Sequence, residues 1–431
     1  MRSAAPRSTR HHSRERAALV GLLSGPSRHP DPEHALDELS GLADAAGADV
    51  VLRVLQERAR PDSATFLGRG KVASLAASCD ELQADVVIFD NELSPAQLRN
   101  LEEALDRKVL DRTQLILDIF ARRARTREGK LQVELAQLKY LMPRLVGSAA
   151  ALSRLGGGIG TRGPGETKLE TDRRRIRQRI SAIAREIEGV RRRRSQLRER
   201  RHKASVPTVA LVGYTNAGKT TLFNALTGDH AIASDALFVT LDPLVRKLQL
   251  PDRRELLISD TVGFIDRLPH SLVAAFRATL EEVAAADLLL HVIDAANPDR
   301  ERHVAAVRRV LAEVGAESVP LVDVFNKWDL VDEDERRRLR ALYPGGLFTS
   351  AVTGQGRDDL VAALEAQLAL DTTTVTFRFD AASDRDRARI SQLYRVARIL
   401  RHVATDGHVS IEAEIPRRLL DRFEQPATQA S

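Results

Sequence analysis

The sequence predicts a multidomain α/β protein. A mostly parallel sheet domain is expected over 206–368, preceded by a small α/β domain and an antiparallel helical hairpin, and followed by a second small α/β domain. Three observations carry this expectation. Strand-length apolar runs alternate with helix-length stretches over 16–120 and again over 206–368. Two helical stretches with apolar residues at coiled-coil spacing flank a glycine-rich reversal. After 372, strands of alternating polarity flank another helical stretch. Strands alternating with helices of such length build parallel sheets covered on both faces.

The totals agree with that class. A chain of 431 residues is long enough for two or three domains, each with its own core. Its 43% apolar and 29% charged residues are those of a globular protein. With only 12 Phe, 4 Tyr and 1 Trp, the cores must be filled by Leu, Val, Ile and Ala. Cys79 is the single cysteine, so neither an internal disulfide nor a cysteine-rich metal site is expected. No stretch of about twenty apolar residues occurs, which argues against a membrane span and makes the cytoplasm the expected location. Residues 1–15 read as a flexible basic tail leading into a first strand at AALVGLL (17–23), too short an apolar run for a signal peptide. The net charge of +6 is unevenly spread, with Arg and Lys crowded into 122–130 and 162–203. Concentrated basic charge attracts polyanions through phosphate contacts and counterion release. A solvated helix surface is the plainer reading of the same composition.

In the first domain (16–120), VVLRVLQ (50–56), ADVVIFD (84–90) and KVLDR (108–112) read as strands. GKVASLAASCDEL (70–82) and SPAQLRNLEEAL (94–105) read as helices, the second with Ser94 and Pro95 at the favoured N-cap and first positions. The turn FLGRGK (66–71) carries glycines but has no phosphate-loop spacing, and reads as a plain strand-to-helix turn.

The second region (121–204) has a different rhythm. Leu131, Leu135, Leu138, Met142 and Leu145 recur at steps of 4, 3, 4 and 3, and Ile176, Ile180, Ile183, Ile187 and Val190 follow similarly. Each set draws a narrow apolar seam along a helix. LGGGIGTRGPGE (155–166), with six glycines and a proline, is expected to be non-helical and to reverse the chain as the hairpin tip. RRRR (191–194) and RERRHK (198–203) make the return helix strongly basic, and Gly189 is a candidate bend. Pairing within the chain is favoured over a homodimeric coiled coil because a short loop closes at little entropic cost, so a monomer is expected.

From 206 onward the α/β pattern is regular. VPTVALVG (206–213) is a strand and TTLFNALTG (220–228) a helix, and 248–263 reads as a two-stranded hairpin. DLLLHVID (287–294), VPLVDVFNK (319–327) and GLFTSA (346–351) are further strands, with helices at 271–286, 299–314 and 356–369. Between the first strand and helix stands Gly213-Tyr214-Thr215-Asn216-Ala217-Gly218-Lys219-Thr220, followed by Thr221. This is a phosphate-loop pattern in the strand-to-helix setting it requires. Loop N–H groups and the helix N-terminus surround phosphate oxygens. Lys219 would bridge the β and γ phosphates, and Thr220 would give its hydroxyl oxygen to Mg²⁺. A later strand ends in Asp260-Thr261-Val262-Gly263. Asp260 suits a water-mediated Mg²⁺ ligand, while the Gly263 N–H can reach a γ phosphate. SDALFVTLDP (234–243) is expected to be a mobile, non-core loop, with Thr240 the residue that closes on Mg²⁺ and γ phosphate.

Asn326-Lys327-Trp328-Asp329 follows a strand and points to guanine. The Asp329 carboxylate can accept from guanine N1–H and the exocyclic amine, whereas adenine N1 would face it with no donor. An unpaired buried group costs on the order of 1–3 kcal/mol, which is about 5–150-fold in affinity. Asn326 would hold neighbouring loops, the Lys327 stem would cover the base, and the N–H groups of Ser350-Ala351 would lie near guanine O6. Together these motifs imply GTP as substrate, GDP as product and Mg²⁺ as cofactor. Lys219, Thr240 and Gly263 are the residues expected at the reacting phosphate. In Ras-like enzymes a Gln follows the Asp-x-x-Gly glycine and orients the attacking water, but here that place holds Phe264. Slow intrinsic turnover is expected, near about 10⁻³ per second, raised when a partner orders the loops. A nucleotide-switched binding module with incidental hydrolysis is the rival reading.

The last unit (372–425) reads as strand TVTFRFD (374–380), helix 383–403, strand HVSIEAEI (408–415) and a short helix within 415–423, with no evident catalytic residue.

At this point the chain resembles the HflX-type GTPases. The resemblance rests on GGGIGTRGPGETKLETDRR (156–174), GYTNAGKTTLFNAL (213–226), VTLDP (239–243) and DTVGFIDRLPH (260–270). It extends upstream to FLGRGKV (66–72), FDNELSPAQLRNLE (89–102) and 111–145. It implies an N-terminal domain, helical hairpin, G domain and small C-terminal domain. It further implies binding to the large (50S) ribosomal subunit, which stimulates hydrolysis, and help in splitting stalled 70S ribosomes under stress. The tip at Gly156–Glu166 would then approach ribosomal RNA, and an apolar residue at Phe264 would be normal. One departure is Leu244, where a second Thr commonly follows the proline.

Overall fold

The computed structural model describes residues 14–23, 32–144, 164–204, 206–233, 236–251, 254–266, 277–368, 372–405, 407–416 and 420–423. The basic tail up to 13, the expected seam residue Leu145, the tip residues 155–163 and the 271–276 part of an expected helix lie outside them. The described residues fall into two compact units, one running to Ile187 and including Ala236–Phe238, the other holding the remainder.

In the first unit β1 (Glu15–Leu23), β2 (Ala48–Glu57), β3 (Val86–Phe89) and β4 (Lys108–Asp111) form a parallel sheet in the order β2-β1-β3-β4. The central strands β1 and β3 are buried almost throughout, which is why they read as unbroken apolar runs. Four helices accompany the sheet: α1 (Pro32–Ala45), α2 (Arg69–Glu81), α3 (Pro95–Leu105) and α4 (Arg112–Arg123). Ser94 caps α3 as expected, accepting from Gln97 N while Gln97 returns its side chain to Ser94 N. Leu67, Val72, Leu75, Cys79, Val87, Phe89, Leu101 and Leu105 belong to the core. Buried Arg112 closes an ion-paired group with Glu38 (2.5 Å) and Asp90 (2.9 Å).

The hairpin helices are α5 (Arg127–Arg144) and α6 (Pro164–Ala204). Leu131, Leu135 and Ile183 are buried at their seam, with Leu138, Ile180 and Ile187 packed beside them. Met142, Ile176 and Val190 do not join that cluster, so the seam is shorter than the expected stripe. The pairs Arg127–Glu186 (2.9 Å) and Glu134–Arg179 (2.6 Å) advance along one helix while retreating along the other, which fixes the antiparallel sense. Two sequence expectations change here. Helix α6 starts at Pro164, inside the stretch expected to be non-helical, because proline lacks only an N–H that the first turn leaves unpaired anyway. The helix also runs through Gly189 without a break.

The sheet of the second unit has the order β10-β9-β8-β5-β7-β6. Its strands are β5 (Thr208–Gly213), β6 (Leu244–Gln249), β7 (Glu255–Asp260), β8 (Leu288–Asp294), β9 (Leu321–Asn326) and β10 (Leu347–Phe348). Only the β6/β7 hairpin pairs antiparallel within it. The helices are α7 (Lys219–Thr227), α8 (Arg277–Ala284), α9 (Arg300–Glu313), α10 (Glu333–Leu342) and α11 (Arg357–Leu368). The sequence reading missed α10. Its sequence EDERRRLRAL has no apolar face beyond buried Leu339, yet Asp332 caps it and three acids occupy its first turn.

The segment 236–243 has no regular structure, but it is not the surface loop expected. Phe238 and Leu241 are only 2% and 3% exposed, and within the first unit Phe238 meets Phe120 edge-on at 4.7 Å. Two buried apolar side chains outweigh the polar composition around them.

The final domain is a three-stranded antiparallel sheet, β11 (Thr372–Asp380), β13 (His408–Pro416) and β12 (Arg398–Thr405), in the order β11-β13-β12. It carries α12 (Asp384–Val396) and α13 (Leu420–Phe423). The helix expected over 383–403 ends at Val396, and RILRHVAT forms strand β12 instead. Pairing of β12 with β13 supplies ladder hydrogen bonds that a helical reading ignores.

Candidate functional site

The site gathers at the C-terminal ends of β5, β7, β8 and β9. A parallel sheet presents its connecting loops together at that edge, the usual place for a ligand. β5 delivers the loop Gly213–Gly218 and helix α7 begins at Lys219. Gly218 has a positive φ of 89°, and a Cβ there would lie 2.2 Å from Asn326 Nδ2. Only glycine fits. Asn216 also takes a left-handed conformation, at φ 59°, and is exposed, while Thr215 and Ala217 are buried.

Lys219 is 5% exposed. Its ammonium donates to the carbonyl oxygens of Gly213 (3.1 Å) and Tyr214 (2.8 Å). Burial pushes it down to about 8, with nearby Asp260 acting against that shift. A desolvated cation of this kind is favoured further by any anion placed beside it.

Thr220, Thr240 and Asp260 converge. Asp260 Oδ2 accepts from Thr220 Oγ1 at 2.7 Å and from Thr240 Oγ1 at 2.8 Å, and the two hydroxyl oxygens are 2.8 Å apart. Asp260 is fully buried, and its Oδ1 has no hydrogen-bond partner among the described residues. Burial raises the Asp260 carboxyl above the usual range, while Lys219 and the Thr220 and Thr240 hydroxyls pull it down. Two hydroxyls and a carboxylate with an unpartnered oxygen form an all-oxygen donor set of the kind a hard divalent cation takes. These residues fit Mg²⁺.

After β7 the backbone stays against the phosphate loop. A Cβ on Gly263 would lie 2.7 Å from Thr215 Cα and 3.1 Å from Lys219 Nζ, so glycine is required for this approach. Thr261 donates its hydroxyl to Leu211 O at 2.6 Å, and Val262 is buried, so neither side chain is free to turn to a phosphate. Phe264 is 1% exposed. Its N–H donates to Gly213 O (3.1 Å) and its carbonyl accepts from Thr215 N (2.7 Å). Its backbone is tied to the phosphate loop and its side chain has no proton to move. Thr221, the third residue of α7's motif run, is partly buried in the first helical turn.

The Asn326-Lys327-Trp328-Asp329 segment leaves β9. Asn326 donates through Nδ2 to Ala217 O (3.0 Å) and accepts through Oδ1 from Ala351 N (3.0 Å), linking three loops. Lys327 takes a left-handed φ of 61° and pairs with Asp294 at 2.7 Å. Trp328 is buried beside Phe348, and its N–H donates to Thr349 O. Asp329 follows in a short 3₁₀ turn, exposed on the surface. The Ser350 and Ala351 N–H groups donate to Gln355 O and Asn326 Oδ1. The sequence reading took Tyr214 only as a loop backbone. Its ring stacks on His303 at 3.7 Å and its hydroxyl accepts from Asp266 N at 2.9 Å. No residue type at 302 or 303 announced these contacts, since both sit in an ordinary amphipathic helix.

Comparison with known proteins agrees with this geometry. Three family models match in order: "GTP-binding GTPase N-terminal" over 33–121, "GTP-binding GTPase Middle Region" over 123–201 and "50S ribosome-binding GTPase" over 208–327. The "GTPase HflX" of Caldanaerobacter subterraneus is 47% identical over 414 residues, covering 95% of this chain and 93% of that protein. The "GTPase HflX" of Escherichia coli is 46% identical over 409 residues, covering 94% and 95%. A crystal structure of a GTP-binding protein from Sulfolobus solfataricus in complex with GDP is 24% identical, with a TM-score of 0.43, covering 82% of this chain and 98% of that one. The two HflX relatives are 46–47% identical over almost the whole chain, and the chain belongs to the HflX family of GTPases.

Proposed function

We propose that this GTPase binds GTP between the Gly213–Thr221 loop and the Asn326–Asp329 motif, with Mg²⁺ at Thr220, Thr240 and Asp260. The convergence of Thr220 and Thr240 on Asp260 carries the reading. It brings a phosphate-loop hydroxyl and a hydroxyl from the 236–243 segment to one carboxylate. Bound there, the cation would neutralise charge on the β and γ phosphates. Lys219 exchanges its carbonyl partners for phosphate oxygens, and the Gly263 N–H is presented to the γ phosphate. Thr240 fixes its own loop to that phosphate, while Asp329 reads the guanine edge and Lys327 covers the ring.

Hydrolysis needs a water aligned with the departing phosphate. Phe264 cannot orient it by its side chain, so turnover by the chain alone is slow, and a partner completes the arrangement. That partner is the large ribosomal subunit, as the description of the family model matching 208–327 suggests. The basic return helix α6 offers the charge for an RNA surface, and the tip expected at 155–166 is its contact. The chain acts as a cytoplasmic monomer, and nucleotide turnover times its release from stalled 70S particles that it splits. No helix among the described residues is long and apolar enough to cross a membrane.

The test is multiple-turnover GTP hydrolysis with 30S, 50S and 70S particles at fixed salt. A rise of at least about tenfold with 50S and 70S, but not 30S, is expected for completion of a GTPase site. Equal rates with and without 50S would defeat the partner assignment.

A further inference from the structure

The stretch after Gly263 is tied to the phosphate loop by more than the Phe264 ladder. Phe264 pairs with Tyr214 as a parallel β-bridge. Two residues on, the Asp266 N–H donates to the Tyr214 hydroxyl at 2.9 Å. Helix α9 closes the arrangement from outside. Arg302 Nη2 lies 2.7 Å from Asp266 Oδ2, with Arg309 farther away at 3.9 Å. His303, the next residue on α9, stacks on the Tyr214 ring with the planes 7° apart. Adjacent residues of one helix therefore grip both partners of a single hydrogen bond. Arg302 holds the donor residue and His303 holds the acceptor ring. The side chains of Arg302 and Asp266 are 29% and 16% exposed, so water screens this pair less than a surface pair.

We propose that Asp266 and Arg302 are positioning residues for the γ-phosphate step. They set the register between Tyr214 and the 263–266 backbone, and so the place at which the Gly263 N–H meets the γ phosphate. The inference rests on the reading of Gly263 as a γ-phosphate donor. With Phe264 unable to act on water, the alignment of Gly263 carries more of the transition-state geometry, and a small misplacement is costly. GDP lacks the γ phosphate and does not sense the clamp.

The experiment uses the full-length protein without ribosomes. Single-turnover GTP hydrolysis is measured with the affinities for GDP and a non-hydrolysable GTP analogue, in Arg302→Ala, Arg302→Lys, Tyr214→Phe and Gly263→Ala proteins. Loss of one charge-assisted contact in Arg302→Ala should slow hydrolysis about tenfold and weaken the analogue about fivefold, leaving GDP within about twofold. Arg302→Lys, which can still reach one carboxylate oxygen, should recover to within about threefold. Tyr214→Phe keeps the ring stack and removes only the hydroxyl, so it should reproduce the loss without disturbing the fold. Unchanged hydrolysis in both Arg302→Ala and Tyr214→Phe would overturn the proposal. So would a parallel fall of GDP and analogue affinity in Tyr214→Phe, which would mark a merely structural role. Gly263→Ala separates the two claims: if it hydrolyses GTP normally, the reading of Gly263 itself fails, whatever Arg302 does.

Discussion

The chain contains two parallel sheets, and the polar residues at their C-terminal edges are treated in opposite ways. In the N-terminal domain the carboxylates close on arginines, although Arg144 Nε finds no hydrogen-bond partner among the described residues. Arg112 pairs with Glu38 and Asp90, and Asp111 accepts from Arg144, Leu93 N and Gln114 N. In the nucleotide domain Lys327 pairs with Asp294, but Lys219 and Asp260 are not closed in that way. Among the described residues Lys219 donates to two carbonyls, and Asp260 keeps an oxygen with no partner although it is fully buried. A buried group left incomplete costs stability unless something else completes it. Arg112 is met by two carboxylates of its own domain, whereas Lys219 and Asp260 are groups that a bound phosphate and cation would complete.

The comparison breaks most visibly at Lys219. Lys219→Ala should lower GTP turnover about a thousandfold, through loss of phosphate charge stabilisation. It should leave the stability of the nucleotide-free protein unchanged or higher, because burial already disfavours that ammonium. Thermal unfolding alongside a hydrolysis assay decides this, and a destabilised but active variant would contradict it. Arg112→Ala should do the reverse. Leaving Asp90 and Glu38 without their cation should cost about 3 kcal/mol in a urea titration, with GDP affinity unaltered. A smaller effect is expected at Asp329, where the base is read. Asp329→Asn should weaken GTP by about 5–150-fold, the value of one mismatched hydrogen-bonding group. Its amide should instead improve binding of xanthosine triphosphate, and competition between the two nucleotides measures the shift.

Much of this was legible because strand and loop chemistry were local. Ser94 and Pro95 announced their helix, and the Gly213–Thr220 spacing announced its loop. What escaped notice depended on distant partners. Residues 398–403 look helical until β13 is there to pair with them, and Phe238 looks like a loop residue until Phe120 is beside it. Helix α10 escaped because end charges and a cap, rather than an apolar stripe, sustain it. The clamp at Asp266 was invisible because Arg302 and His303 lie more than thirty residues further along the chain.

One carboxamide has a wider reach than its size suggests. Asn326 joins the carbonyl of Ala217 to the N–H of Ala351, and its amide nitrogen fills the space that a side chain at 218 would need. Base and phosphates are consequently not gripped by two independent hands. Loosening either end slackens the other, and a nucleotide fragment lacking one part forfeits more than that part's own contacts.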